Sequence, residues 1–459
     1  MAKVDFLVVG DDQEVLRRAE TICTEFSYAY ANVPNLDVLM DNEKDYHEAT
    51  FVLISVENIE DGNELAGYVQ VVRQVAPESY IVISIGAKLD PKVSVFIKKS
   101  GVDLVLIASE VKQTSKLEFI ASQKIKASYM PVKITELIED SVIDCPLFHL
   151  LPLNQKFIPV IRPGDPITAD RLGKLKEIGE VYVRREDVEK YQEYAVKYDN
   201  KSKHSMARKC RAQFLSLLKS YVDLILLVSD QSERASYPQG AALYAKCEQL
   251  SRELLTTLGA VGEAWEIINN SAIGEFGSVE RSPAIAAYAG LLSLECQIGD
   301  PTAVMTAALI ADIGMMDLRP EITKKIRQGG GLSSLTEDEQ RDYKAHPITS
   351  LHQALSRRLQ IPEKTKNMIL CSHERMDMKG FPNCPVGDKI PYEAMLIQIC
   401  EMIDRSSLIR MGEKRPDIRD VKKQIYLEES RTGSVFSAQM LGKVRPYLLS
   451  SGRPNAASS

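Results

Sequence analysis

Ser372-His373-Glu374-Arg375-Met376-Asp377-Met378-Lys379-Gly380-Phe381-Pro382 is the stretch on which the fold of this 459-residue chain is decided. It sets a histidine among acids and cations just ahead of a Gly-Phe-Pro turn. Upstream, Met305 to Met316 is apolar almost all round, the mark of a buried central helix. That run contains Ala311-Asp312-Ile313-Gly314-Met315, and Lys344-Ala345-His346-Pro347 follows it. Beyond the opening stretch lies Ile399-Cys400-Glu401-Met402-Ile403-Asp404. Of the chain's six histidines only His346 and His373 fall in these elements, so a shell of many imidazoles is out of reach. Two histidines with two carboxylates still have the number and softness for one zinc or iron ion.

The order and spacing of these elements resemble the HD-GYP family of cyclic di-GMP phosphodiesterases. The family has His-Asp-Ile-Gly-Lys where this chain has Ala311 to Met315, His-Pro at His346-Pro347, and His-His-Glu-Arg followed by Gly-Tyr-Pro where Ser372 to Pro382 stand. Arg281-Ser282-Pro283 resembles its opening His-Ser helix with Arg for His, and Gly433-Ser434-Val435-Phe436-Ser437 its closing turn. The resemblance covers about the second half of the chain and implies an all-α HD-domain helical bundle over 205–450.

Residue by residue, the resemblance implies metal ligands at Asp312, His346 and His373, with Glu401 in place of an Asp ligand. Glu401 and Asp404 occupy the slots of two family Asp residues. Ala311, Ser372 and Arg281 replace three ligating histidines, and Met315 replaces a phosphate-contacting Lys. A methyl cannot ligate, a hydroxyl does so poorly, and a guanidinium repels a cation. A multinuclear catalytic centre is therefore not expected, and no catalytic residue or cofactor is assigned. The alternative is one iron, manganese or zinc ion in a vestigial site, with Cys371 or Glu374 as substitute ligands. Against it, lone buried His and Asp more often bond to each other, and Cys371 and Cys400 read first as small buried apolar side chains.

Arg281, Arg375, Lys379 and Arg410 form the expected ligand-binding set, because an Arg fork donates two parallel hydrogen bonds to phosphate. Lys379 and Arg410 read equally well as solvated surface charges. The leading expectation is a non-catalytic cyclic di-GMP signalling protein. One alternative is a weakly active phosphodiesterase. The other is a scaffold that docks a diguanylate cyclase through Gly380-Phe381-Pro382.

The first half reads differently. Val4-Asp5-Phe6-Leu7-Val8-Val9 and the apolar runs at 51–56, 80–85 and 104–107 alternate with helical patterns, which implies an open parallel sheet, an α/β doubly wound arrangement. It is similar to a response-regulator receiver, a flavodoxin-like domain, over 1–122. Ser55 stands at the phosphoacceptor position, Gly10 at the first acidic position and Ala108 at the Lys position, while Asp11, Asp12, Ser84 and Asp61-Gly62 persist. A pseudo-receiver is expected, with Asp11 and Asp12 capping the first helix. A small α/β module over 145–195 is similar to one often found ahead of HD-GYP domains; 199–209 reads as a hinge, and 451–459 as a disordered tail.

Composition bounds the rest. Fifty-seven basic against 63 acidic residues leave a net charge of −6, with no basic stretch for nucleic-acid binding. No run of about 18 apolar residues suggests a membrane span, and no signal peptide is seen. Eight scattered cysteines read as reduced thiols. The expectation is a soluble, cytoplasmic homodimer whose partners are cyclic di-GMP and signalling proteins such as diguanylate cyclases.

Overall fold

The computed structural model describes residues 4–56, 62–88, 90–125, 129–151, 156–177, 180–200, 202–272, 279–383, 389–408 and 416–449. Asp61, Arg410 and the expected tail lie outside them. The chain is multidomain, with an α/β N-terminal region, a small mixed module and a helical C-terminal region.

Strands β1 (Phe6–Val9), β2 (Tyr30–Val33), β3 (Phe51–Val56), β4 (Tyr80–Ile85) and β5 (Leu104–Ile107) form one parallel sheet in the order β2-β1-β3-β4-β5. Their residues alternate between two cores. Leu7, Val9, Val52 and Ile54 pack with Leu65, Val69 and Val72 of helix Gly62–Val75. Phe6, Val8, Phe51 and Leu53 belong instead to a core that runs on into the rest of the molecule. Burial on both faces is why these strands read as unbroken apolar runs. Asp12 caps helix Gln13–Phe26, accepting from Glu14 N (2.9 Å) and Val15 N (3.2 Å), while Lys112 Nζ reaches its other oxygen at 2.7 Å.

The middle module starts earlier than position 145. Strand β6 (Tyr129–Lys133) pairs with a later strand of the module, and a short antiparallel pair, β7 (Ser141–Val142) with β10 (Pro166–Ile167), lies beside it. With β8 (Leu147–Leu151), β9 (Lys156–Ile161) and β11 (Glu180–Arg184), β6 makes an antiparallel sheet ordered β6-β11-β8-β9. The short strand β6, with Pro131 at its centre, buries only Met130 and Val132 fully, which leaves a weak strand pattern in the sequence.

The expected hinge at 199–209 is not one. Ser202 caps a 27-residue helix, Lys203–Ser229, and the buried Arg208 donates to the carbonyls of Glu136 (3.0 Å) and Tyr198 (2.7 Å). Arg211 Nε meets Glu136 Oε1 at 2.7 Å, so these charges bolt the middle module to the helical half. Residues 204–229 are long and apolar enough to cross a membrane, yet 83% of the most apolar window is buried inside the protein, as in a core helix. Helices Ser282–Cys296, Pro301–Ala311, His346–Ser356, Glu363–Leu370 and Tyr392–Ser406 pack around the site described next.

Candidate metal centre

Asp312 ends helix Pro301–Ala311, a helix apolar enough to be buried on every side, so its carboxylate is delivered to the interior. His346 opens helix His346–Ser356 with Pro347 in the first turn, where a missing N–H costs nothing. His373 lies on the irregular segment after helix Glu363–Leu370 and is pinned there by an isolated bridge to Phe381. Three elements distant in sequence therefore converge.

Their ligand atoms lie within 4.8 Å of one another. His346 Nε2 and His373 Nε2 are 3.0 Å apart, and Asp312 Oδ1 stands 3.4 Å from the first and 3.6 Å from the second. Ligands at about 2.1 Å from one ion are spaced by roughly 3.0–3.4 Å at octahedral or tetrahedral angles, so two sides of the triangle match a single transition metal and the 3.6 Å side is slightly long. The second shell fits as well. His346 Nδ1 donates to the Tyr343 carbonyl at 2.6 Å, leaving Nε2 with its lone pair directed inward. His373 Nδ1 faces Glu401 Oε2 at 3.3 Å, a carboxylate–histidine pair of the kind that orients a ligating ring.

Charge at the site follows from burial and these partners. Burial raises Asp312, but the adjacent imidazoles of His346 and His373 outweigh it and hold the carboxyl below its ordinary range. Burial pushes His346 down. For His373 burial acts the same way, yet Glu401 and Asp312 overcome it and raise the imidazole.

The other expected site residues among those described lie around this cluster. Glu401 is not in the ligand cluster, because it meets the opposite ring nitrogen of His373. Cys371 and Cys400 are outside it too, and burial pushes the Cys371 thiol up to about 11 and raises the Cys400 thiol well above its ordinary value. Glu374 Oε1 accepts from Asn383 N at 2.7 Å.

The cations fare similarly. Arg281, only 6% exposed, turns its fork onto Asp404, with Nε 2.9 Å from Oδ2 and Nη2 on Oδ1. Arg375 does the same to Asp377 at 2.9 and 2.7 Å. In this structure each fork is paired with a carboxylate. Lys379 is exposed, its backbone N–H bonded to Asp377.

Within Gly380-Phe381-Pro382 the aromatic ring faces inward. Phe381 is buried, stacked on His373 at 4.8 Å and 16°, with Tyr343 and His346 edge-on at 5.8 Å. Gly380 lets the loop return, because a Cβ there would stand 2.5 Å from Arg375 N and 2.6 Å from His373 O. The motif builds one wall of the histidine pair.

Sequence reasoning missed Tyr343, Ser350 and Gln353. The spacing of His346, Ser350 and Gln353, on successive turns of one helix face, was a usable signal.

Residues 266–414 match the HD domain family, and this segment holds the three clustered ligand residues, Glu401 and the Arg281–Asp404 pair. The match covers about a third of the chain. No curated protein matches the chain. Solved structures similar to it include Bd1817, a HDG"Y"P protein from Bdellovibrio bacteriovorus, at 17% identity and TM-score 0.45, over 70% of this chain and 100% of that one. Another is the HD domain of L. monocytogenes phosphodiesterase PgpH in complex with cyclic-di-AMP, at 16% identity and TM-score 0.28, over 38% of this chain and 88% of that one. Both are too distant to bear on activity.

Proposed function

We propose that the chain is a signalling protein whose HD domain keeps a single-metal remnant of an HD-GYP site and binds cyclic di-GMP without hydrolysing it. The observation that carries the reading is the buried Arg281–Asp404 pair. In the HD-GYP pattern these positions hold a His and an Asp. Here a fixed guanidinium sits against the carboxylate and neutralises it, so Asp404 is already paired inside the protein. Asp312, His346 and His373 would hold the one ion that fits, with Tyr343 and Glu401 orienting the two rings. A bound ion supplies a Lewis-acidic contact for a phosphodiester oxygen. The protein's own part is to orient both imidazoles, exclude water with the Phe381 ring, and keep Asp312 ionised.

The N-terminal region is read as a receiver-like, flavodoxin-like domain that takes no phosphate. Support comes from its strand order, from Ser55 at the end of β3, and from Asp12, which Lys112 and the helix amides already satisfy.

A second reading, weak phosphodiesterase activity from one ion, is favoured by the tight convergence of three ligand atoms. One experiment separates the two. Labelled cyclic di-GMP is dialysed against the purified protein with manganese, both chambers are chromatographed, and bound metal is counted. About one ion per chain with intact nucleotide held on the protein side is expected. Linear product overturns the non-catalytic reading, and metal-free protein with evenly distributed nucleotide overturns the sensor.

A further inference from the structure

The segment joining the ligand Asp312 to the rest of its domain is a single five-residue 3-10 turn, Ile313–Asp317. It lies along helix His346–Ser356 in three rungs. At the first, Asp312 faces His346. At the second, Gly314 N donates to Ser350 Oγ at 2.8 Å, and Ser350 Oγ donates on to the carbonyl of Ala311 at 2.6 Å. The approach there leaves no slack, since a Cβ on Gly314 would stand 2.4 Å from the His346 carbonyl. At the third, Gln353 Nε2 donates to Asp317 Oδ2. Two of the three ligand residues are therefore held in register by one ladder.

The far end of that ladder belongs to the other half of the molecule. Lys116, on helix Lys116–Ile125 of the N-terminal region, places Nζ 2.8 Å from Asp317 Oδ1 and 2.5 Å from Glu110 Oε1. It is 5% exposed, a buried ammonium held between two carboxylates. The neighbouring Ser115 donates its N–H to Leu318 O at 3.0 Å and shares a hydroxyl contact with Thr323 at 2.8 Å. Asp317 thus has one oxygen on the N-terminal region and the other on the helix that carries His346.

We infer that Lys116 is a positioning residue for the metal centre: through Asp317 it sets the ladder that holds Asp312 and His346 together, so the docked N-terminal region tunes metal affinity. The inference rests on the single-metal reading above. Without Lys116, Asp317 loses the charge that fixes one oxygen, and Gln353 and the turn are free to shift relative to His346. Coupling transmitted through such packed networks is worth about 0.5–2 kcal/mol, or roughly two- to thirtyfold in affinity.

The test uses cobalt(II), both as a competitor against a chromogenic chelator and as a reporter through its visible absorption. Lys116→Met and Asp317→Asn break the contact from opposite sides, and the second keeps the side chain's shape should the first fail to fold. Both are expected to weaken cobalt binding about two- to thirtyfold and to shift the absorption band at saturating metal, whereas Lys116→Arg restores wild-type values. Glu118→Gln is the control. Glu118 bridges Arg18 and Arg327 across the same interface without touching Ile313–Asp317, so cobalt affinity and spectrum should stay as in wild type. Unchanged affinity in Lys116→Met and Asp317→Asn, or an equal loss in Glu118→Gln, overturns the inference. Wild-type protein that takes up no cobalt overturns the metal reading itself.

Discussion

Asp404→Asn should be among the costlier single substitutions in the helical half. Arg281 and Asp404 are 6% and 2% exposed, and the guanidinium fork closes on both carboxylate oxygens. Burial opposes the Arg281 charge, but the adjacent Asp404 outweighs it and raises the guanidinium above its ordinary value. At the 2.9 Å contact the gross attraction is about 6 kcal/mol with an effective dielectric of 20. The amide removes that attraction and leaves Arg281 charged and buried, which costs about 3–5 kcal/mol. Replacing both partners by apolar residues of similar volume, Arg281→Met with Asp404→Leu, leaves no orphaned charge and should return to within about 1–2 kcal/mol of wild type. A chain of several domains does not unfold in one step, so the appropriate assay is native-state hydrogen exchange of helix Tyr392–Ser406, which carries Asp404. A loss below about 1 kcal/mol in Asp404→Asn, or a double variant no more stable than the single, would show that the buried pair does not hold the helices as its geometry implies.

Other outcomes follow from the same geometry. His346→Ala should lower metal affinity by more than about 100-fold, beyond the loss of an outer partner, as read by chelator competition. Combining Arg281→His, Ala311→His and Ser372→His frees Asp404 and restores three imidazoles, and elemental analysis should then find more than one ion per chain. Gly380→Ala forces a methyl onto backbone atoms that cannot yield, so native-state hydrogen exchange of the helical half should show a loss of about 1–3 kcal/mol, with weaker metal binding as His373 is displaced. The Arg375 hydrogen bond holds Asp377 down at about 2 against an ordinary 3.8. A depressed carboxyl stabilises the fold fully above pH 3.8 and loses that contribution as pH falls through about 2. The stability gap between wild type and Asp377→Asn should accordingly be constant near pH 5 and vanish toward pH 2; a gap unchanged at pH 2 would contradict the pairing.

The sequence by itself determined the parts that depend on local pattern. Apolar runs at 51–56, 80–85 and 104–107 became strands with those bounds, because strands buried on both faces have no polar interruption to blur them. Asp12 was legible as a helix cap, and the order of elements around Asp312, His346 and His373 picked out the three residues that cluster. Tertiary structure alone decided what each charged or aromatic side chain faces. Arg281 and Arg375 read as open cations until Asp404 and Asp377 were seen in their forks, the first across 123 positions of sequence. Glu401 read as a ligand until the ring of His373 put the wrong nitrogen toward it. Phe381 read as a docking residue until the return of the loop through Gly380 laid its ring on His373. A motif records which groups are present. Hydrogen-bond direction and ring orientation are set by packing between segments far apart in the chain, and they determine whether a group binds an ion, holds a neighbour or neutralises a charge.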